Sequence, residues 1–149
     1  MRFRSKADKR AVYYEFPSAW KITMTIAYWC ILISALLPYI WAALAKLSKP
    51  GLDNREPRIF LDNLDGWGQR AHWTQLNGFE TFPAFAAAVI VGSLVNNIEQ
   101  IYLDSLAALF VVCRVLHGVF YVLNMATLRS TVWLISMGSW IGIFVLSGT

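Results

Sequence analysis

The chain has 149 residues, of which 57% are hydrophobic and 15% charged. Soluble domains average roughly 45–50% apolar and about 25% charged residues, so the composition excludes an ordinary soluble domain and indicates a membrane protein. The net charge of +4 is modest, and the basic residues near the N-terminus form a short run with no folded domain behind it. We therefore expect membrane lipids, and not nucleic acid, as a partner.

Four apolar stretches are each long enough to cross a membrane as a helix, at about 1.5 Å per residue and about 30 Å of hydrocarbon. Two of them contain one formal charge each, Glu80 in the second and Arg114 in the third. The first apolar run has 24 residues, longer than the roughly 7–15 residues of a signal peptide core, and we interpret it as a retained span. The predicted helices are about residues 18–46, 69–95, 102–128 and 131–148.

The connections between these helices predict an all-α, up-down four-transmembrane-helix bundle that forms a single domain over residues 1–149. Short turns are expected near Asn96 and near Arg129, and short connections make sequential helices antiparallel. Residues 47–68 contain prolines, glycines and mixed charges, which is typical of a surface loop. Pro38 is expected to kink the first helix. The protein should be a multi-pass integral protein of a bacterial inner membrane or a eukaryotic endomembrane.

Polar side chains form stripes on two of the predicted spans. A charged side chain at the centre of a span costs on the order of 2.5–3.5 kcal/mol, and it usually faces protein or a water-filled cavity. The stripes therefore predict a polar site inside the bundle. At helical spacing, one face of the second span carries Arg70, Trp73, Asn77 and Glu80, its other side carries His72 and Gln75, and the third span carries Arg114, His117, Tyr121 and Asn124.

The depths of Glu80 and Arg114 predict that the two charges meet as an ion pair. Above that pair we expect a polar funnel that is cationic at its mouth. The residues expected to line it, progressively nearer the surface, are Tyr121, Asn77, Arg70, Arg129 and Ser130. Arginines bind carboxylates through a planar fork, and a guanidinium near sulfur stabilises a thiolate. Glutathione has two carboxylates, an ammonium and a thiol, and it fits, although spacing alone does not single it out.

Other polar residues have simpler interpretations. His72 or Gln75 alone is typical of a hydrogen bond between helices. Cys30 and Cys113 are isolated in separate spans, which favours packing over a disulfide or a metal site. No metal is expected.

Residues 75–85 read QLNGFETFPAF and are followed by small apolar residues. This segment resembles the signature of the MAPEG family, the membrane-associated proteins in eicosanoid and glutathione metabolism, whose pattern looks like N-x-x-E-x-F-P-x-F. The later segment from Arg114 through His117 to Tyr121, followed by Arg129 and Ser130, is similar to the microsomal glutathione transferase and prostaglandin E synthase branch of that family.

The resemblance implies a homotrimer that binds glutathione between neighbouring subunits. It implies that Arg129 activates the thiolate, with Ser130 beside it as a second catalytic candidate. One departure is that members using glutathione often carry an arginine where this chain has Trp73; another is that the spacing from Tyr121 to Arg129 differs by about one residue. The residues expected to bind or support glutathione are Arg70, Gln75, Asn77, Glu80, Arg114, His117 and Tyr121.

These observations lead to one leading function and two alternatives. The leading hypothesis is a membrane-bound, glutathione-dependent transferase or peroxidase that acts on a lipophilic small-molecule electrophile entering from the bilayer. The first alternative is a non-catalytic MAPEG-fold protein that binds lipid or a partner protein, which Trp73 favours. The second is an accessory subunit of a larger membrane complex.

Overall fold

The computed structural model describes residues 24–149, so the predicted start of the first helix at about residue 18 lies outside the described residues. The described part is helical, with no strand between residues 24 and 149. Four of its helices are long and apolar enough to cross a membrane, which confirms a multi-pass, all-α membrane protein. The helices are α1 (Ile26–Leu47), α2 (Pro57–Asp62), α3 (Gly66–Val95), α4 (Gln100–Val122) and α5 (Ala126–Gly148).

The centre of the bundle is formed by α3 and α4, since each of them packs against all the other long helices. The most extensive contacts are those of α1 with α3 and of α4 with α5. Phe85 of α3 and Phe110 of α4 stack in the core, with ring centroids 3.9 Å apart and planes 4° from parallel. Large apolar side chains such as Trp29 and Ile40 remain exposed on the outside, where lipid replaces water as the solvent.

Small residues let α1 approach the central helices closely. A Cβ at Gly78 would lie 2.9 Å from Cγ of Pro38, and a Cβ at Gly118 would overlap the indole ring of Trp41. The missing side chains therefore admit a proline and a tryptophan from α1. Close backbone approach through small residues is a usual means of packing helices in membranes.

Gly118→Ala should destabilise the protein by about 1–3 kcal/mol, because the indole of Trp41 must move out of its packed position. Gly138→Ala is the matched control, since a Cβ at Gly138 meets no atom within 4 Å. Thermal unfolding in detergent measures both variants. Equal midpoints for the two variants would contradict the packing of Trp41 on Gly118.

The ends of α4 and α5 differ from the predicted ones. The third long helix stops at Val122 and not at residue 128, and the fourth begins at Ala126 and not at residue 131. The break falls at Asn124, which has a left-handed backbone with φ of 60°. Asparagine tolerates this conformation better than most residues. Asn124 is therefore in the turn and not on the polar stripe of α4, while the predicted turn at Asn96, with φ of 57°, is present.

The segment between α1 and α3 contains a short helix where the sequence predicted a surface loop. Pro57 opens α2 at a position where a proline is well tolerated. Leu61 is buried, and it packs with Phe60 and Leu64 against α1 and α3. This segment is therefore anchored to the end of the bundle at which α3 begins.

The beginning of α1 is capped from another helix. The side chain of the N-cap residue Thr25 makes no capping hydrogen bond. Instead, the backbone N–H of Ala27 donates to Oδ1 of Asp104 in α4 at 2.8 Å. The first amides of a helix lack intrahelical acceptors and a carboxylate there is favourable, so Asp104 joins the ends of α1 and α4.

Asp104→Ala should lower the free energy of unfolding by about 0.5–2 kcal/mol, the usual loss on removing a cap. Asp104→Asn keeps the acceptor oxygen and should lower it less. Chemical or thermal unfolding of both variants in detergent gives the comparison. If asparagine is as destabilising as alanine, the capping oxygen is not the stabilising element.

Candidate functional site

A groove of about 550 Å³ opens on one side of the bundle, at the end where α3 and α5 begin and α4 ends. The helices α3 and α5 form its walls, and α4 contributes its floor, where His117 is buried. The lining combines aromatic, charged and amide side chains. The lining residues are Trp73, Leu76, Asn77, Glu80, His117, Tyr121, Arg129, Ser130 and Trp133.

Asn77 connects the two charges that were predicted to pair directly. The guanidinium of Arg114, 5% exposed, donates from Nη2 to Oδ1 of Asn77 at 2.8 Å. Nδ2 of Asn77 donates in turn to Oε2 of Glu80 at 3.2 Å. Within residues 24–149, Glu80 and Arg114 form no direct salt bridge, so that prediction is wrong.

The geometry of α3 explains why the direct pair does not form. Asn77 lies one turn before Glu80, and the two side chains share a face. Glu80 is exposed to the groove whereas Arg114 is buried behind it. The primary amide of asparagine can accept from one partner and donate to another. It therefore relays the contact between a buried cation and an exposed carboxylate.

A double-mutant cycle should show stronger coupling between Asn77 and Arg114 than between Glu80 and Arg114. A hydrogen bond to a charged group contributes about 1.5–3 kcal/mol, and breaking it leaves the guanidinium unsatisfied. The cycles use Asn77→Ala, Glu80→Gln and Arg114→Met, singly and in pairs, with unfolding in detergent as the readout. Larger coupling for Glu80 with Arg114 would mean that the direct pair dominates after all.

Arg129 lies in the first turns of α5 and is oriented by two residues of α4. Its guanidinium carbon is 4.3 Å from the centroid of the Tyr121 ring, a cation–π distance. The ring of His117 meets that of Tyr121 edge to face at 5.6 Å. Nδ1 of His117 is 3.4 Å from the carbonyl oxygen of Arg129, which can only accept, so the histidine donates. Ser130 follows as an exposed neighbour in the groove.

Gln75 and His72 do not reach the groove. Nδ1 of His72 is 3.3 Å from Oε1 of Gln75, and Nε2 of His72 is 3.3 Å from Oδ1 of Asp62 in α2. These contacts join α3 to α2 within one chain. The hydrogen bond between helices that His72 suggested is therefore present, and it is made within the chain.

Arg70 is also outside the groove lining. Its Nε donates to the carbonyl oxygen of Val122 at 3.0 Å. Val122 is the last residue of α4, where carbonyl groups lack intrahelical donors and a cation is favourable. The contact shows that Arg70 caps α4 and ties it to α3.

Three groove residues, Trp73, Leu76 and Trp133, were not among the predicted site residues. Trp73 lies on a predicted polar stripe, whereas Leu76 and Trp133 belong to none. Because Trp133 follows Arg129 by four residues, a helix that includes both would place them on one face. The fourth span was predicted to begin at residue 131, so Arg129 was expected to lie outside the helix that carries Trp133.

The comparisons with known proteins place this chain in a family. The model of the MAPEG family matches residues 26–149, which include all the described helices and every residue that lines the groove. The chain belongs to the MAPEG family. No curated protein and no solved structure matches the chain.

Membership in the MAPEG family confirms the resemblance carried by the segment from Asn77 to Phe85. The family includes glutathione transferases and related membrane proteins, and its members commonly use glutathione.

Proposed function

We propose that this MAPEG protein is a membrane-bound, glutathione-dependent transferase or peroxidase that acts on a lipophilic electrophile. The observation that carries the proposal is the position of Arg129, whose guanidinium lies over Tyr121 at the groove. A preorganised cation in a partly desolvated site stabilises a developing or existing negative charge. Glutathione, when bound, supplies the thiol that serves as the nucleophile.

The size and the chemistry of the groove support the proposal of a glutathione site. Its volume of about 550 Å³ falls in the usual range of about 300–1,000 Å³ for small-molecule sites. The exposed carboxylate of Glu80 suits the ammonium group, and Asn77 and Ser130 offer hydrogen-bonding groups for the peptide backbone. Arg129 suits an anionic sulfur or a carboxylate. Tyr121 and His117 keep Arg129 in place, since both contact it.

The apolar part of the groove favours a lipophilic second substrate. Trp73, Leu76 and Trp133 contribute aromatic and aliphatic surface beside the polar groups. The groove lies between two membrane-spanning helices, so a molecule dissolved in the bilayer can reach it laterally. A hydrophobic electrophile would then meet the thiol at the boundary between these apolar walls and Arg129.

Arg129→Ala should lower kcat by about 100-fold or more, the usual effect of removing one group that stabilises transition-state charge, while glutathione binding weakens much less. A generic lipophilic electrophile with saturating glutathione provides the assay.

The matched controls are two substitutions at Tyr121. Tyr121→Phe keeps the ring beneath the guanidinium and should retain most of the activity, whereas Tyr121→Ala should lose it. If the Arg129→Ala variant has the same kcat as the wild type, Arg129 does not activate the thiol.

We also propose that the protein is a homotrimer with the ligand held between subunits. Glutathione has two carboxylates, and Arg129 is the one Lys or Arg among the described residues that line the groove. The guanidinium of Arg70 is engaged with the end of α4 through Nε. A neighbouring subunit is the natural source of further cationic groups for a ligand bound at this exposed surface.

The mass of the purified protein in detergent tests this assembly. We expect three chains for each particle, measured by light scattering or native mass spectrometry with the detergent subtracted. A monomer that binds glutathione with undiminished affinity would show that one chain provides the complete site.

A non-catalytic role as a lipid-binding or partner-binding MAPEG protein is the second candidate. It is favoured by Trp73, which stands where the resemblance predicts an arginine, and by the use of Arg70 as a helix cap. Such a protein, including an accessory subunit of a larger complex, would show no turnover with any electrophile. Purification from its native membrane distinguishes the accessory subunit, which would remain with its partners.

A further inference from the structure

A second, much smaller cavity lies behind the groove, between α1, α3 and α4. Its volume is about 10 Å³, close to that of one water-sized sphere. Its lining includes Ser34 and Pro38 from α1, Thr74 and Thr81 from α3, and Arg114 from α4. Arg114 therefore faces the groove residue Asn77 on one side and this cavity on the other.

Two polar atoms of the cavity lining lack a hydrogen-bond partner among the described residues. They are Oγ of Ser34, in a residue 4% exposed, and Nη1 of Arg114, in a residue 5% exposed. A buried donor or acceptor without a partner costs about 1–3 kcal/mol, and more when it is charged. Two such atoms around one small cavity indicate a shared ligand.

Ser34 behaves differently from the other buried hydroxyl residues of the spans. A serine or threonine in a helix commonly donates to a carbonyl one turn earlier, and Ser34 does not. The buried hydroxyls that do so are those of Thr74, Thr81, Ser136, Ser139 and Ser147.

Pro38 removes a regular backbone hydrogen-bond donor next to the same cavity. It lies inside α1 four residues after Ser34, and a proline has no N–H to donate to the carbonyl of residue i−4. The carbonyl oxygen of Ser34 therefore loses its regular helical donor. In membrane helices such freed carbonyls are satisfied by neighbouring helices, by Ser or Thr side chains or by ordered water.

We infer that this cavity binds one structural water molecule, which accepts from Nη1 of Arg114 and hydrogen-bonds Ser34 at the proline break of α1. Water has two donors and two acceptors, and a buried water typically makes about three hydrogen bonds. The hydroxyls of Thr74 and Thr81 each donate to a backbone carbonyl, which leaves their lone pairs to accept from the water. The water would hold the guanidinium from behind while Asn77 holds it from the groove.

The direct test is the structure of the full-length wild-type protein at a resolution that shows ordered water. We expect one density peak within hydrogen-bonding distance of Nη1 of Arg114 and of either oxygen of Ser34. A dry cavity, or a guanidinium that donates directly to Ser34, would overturn the inference. This test does not involve glutathione, so its outcome is independent of the proposed function.

Substitutions at Ser34 provide a second measurement. Ser34→Ala removes one partner and leaves room for the water, whereas Ser34→Val fills the cavity and leaves Nη1 unsatisfied. We expect the valine variant to unfold at a temperature lower than that of the alanine variant by on the order of 5 °C. In the Arg114→Met background this difference should disappear, because no charged group then needs the water.

A matched control for the alanine variant is Ser136→Ala. Ser136 is fully buried, and its hydroxyl donates to the carbonyl of Trp133 within α5. Its replacement should not alter the density at Arg114. Equal midpoints for Ser34→Val and Ser34→Ala, in the presence of Arg114, would contradict a water bound to the guanidinium.

Discussion

A guanidinium buried among membrane-spanning helices must be surrounded by hydrogen-bonding groups, and Arg114 imposes that requirement on this bundle. Arg114 is 5% exposed and lies on α4, one of the two central helices. Removing a partner from such a group is strongly destabilising because a charge remains buried. Its hydrogen bond with Asn77 joins α4 to α3. The same contact places Glu80 at the groove, since Asn77 also donates to that carboxylate.

The ends of the helices follow a related constraint, because free backbone groups are costly near the membrane. Asp104 satisfies an amide at the beginning of α1, and Arg70 satisfies a carbonyl at the end of α4. Both contacts join different helices, so each helix end helps to fix its neighbour. Polar contacts between helix ends thus add to the apolar packing of the bundle that forms the groove.

The sequence was sufficient to predict the membrane class, the four spans and the family, because long uncharged stretches and the segment from Asn77 to Phe85 are local signals. Asn77, Glu80, Tyr121 and Arg129 were also correctly expected to lie near one another. The relay through Asn77 was not predictable, because it depends on the depth of Glu80 relative to Arg114 within about one helical turn. A carboxylate and a cation on facing helices indicate proximity and not direct contact.

The remaining differences arose at helix boundaries and from contacts between distant residues. The left-handed backbone at Asn124 follows the end of α4. Because α5 begins at Ala126 and not at residue 131, Arg129 and Trp133 lie on one face of the same helix. The cap on α1 joins residues 77 positions apart, and no local sequence pattern predicts it. Arg70 was assigned to a ligand because its partner, the carbonyl group of Val122, lies on another helix and is not visible in a helical projection. The pairing of Gln75 with His72 is at helical spacing, but the contact of His72 with Asp62 of α2 is not.

The most direct test of the function is the ultraviolet absorbance of glutathione bound to the detergent-purified protein at neutral pH. A free thiol is only a few per cent ionised near pH 7, so thiolate absorbance on binding reports stabilisation of the anion by the groove. The proposal predicts a stoichiometric thiolate signal in the wild type and its loss in Arg129→Ala at saturating glutathione. Binding of glutathione without any thiolate, or no binding at all, would contradict the enzymatic role and leave a MAPEG-fold binding protein in its place.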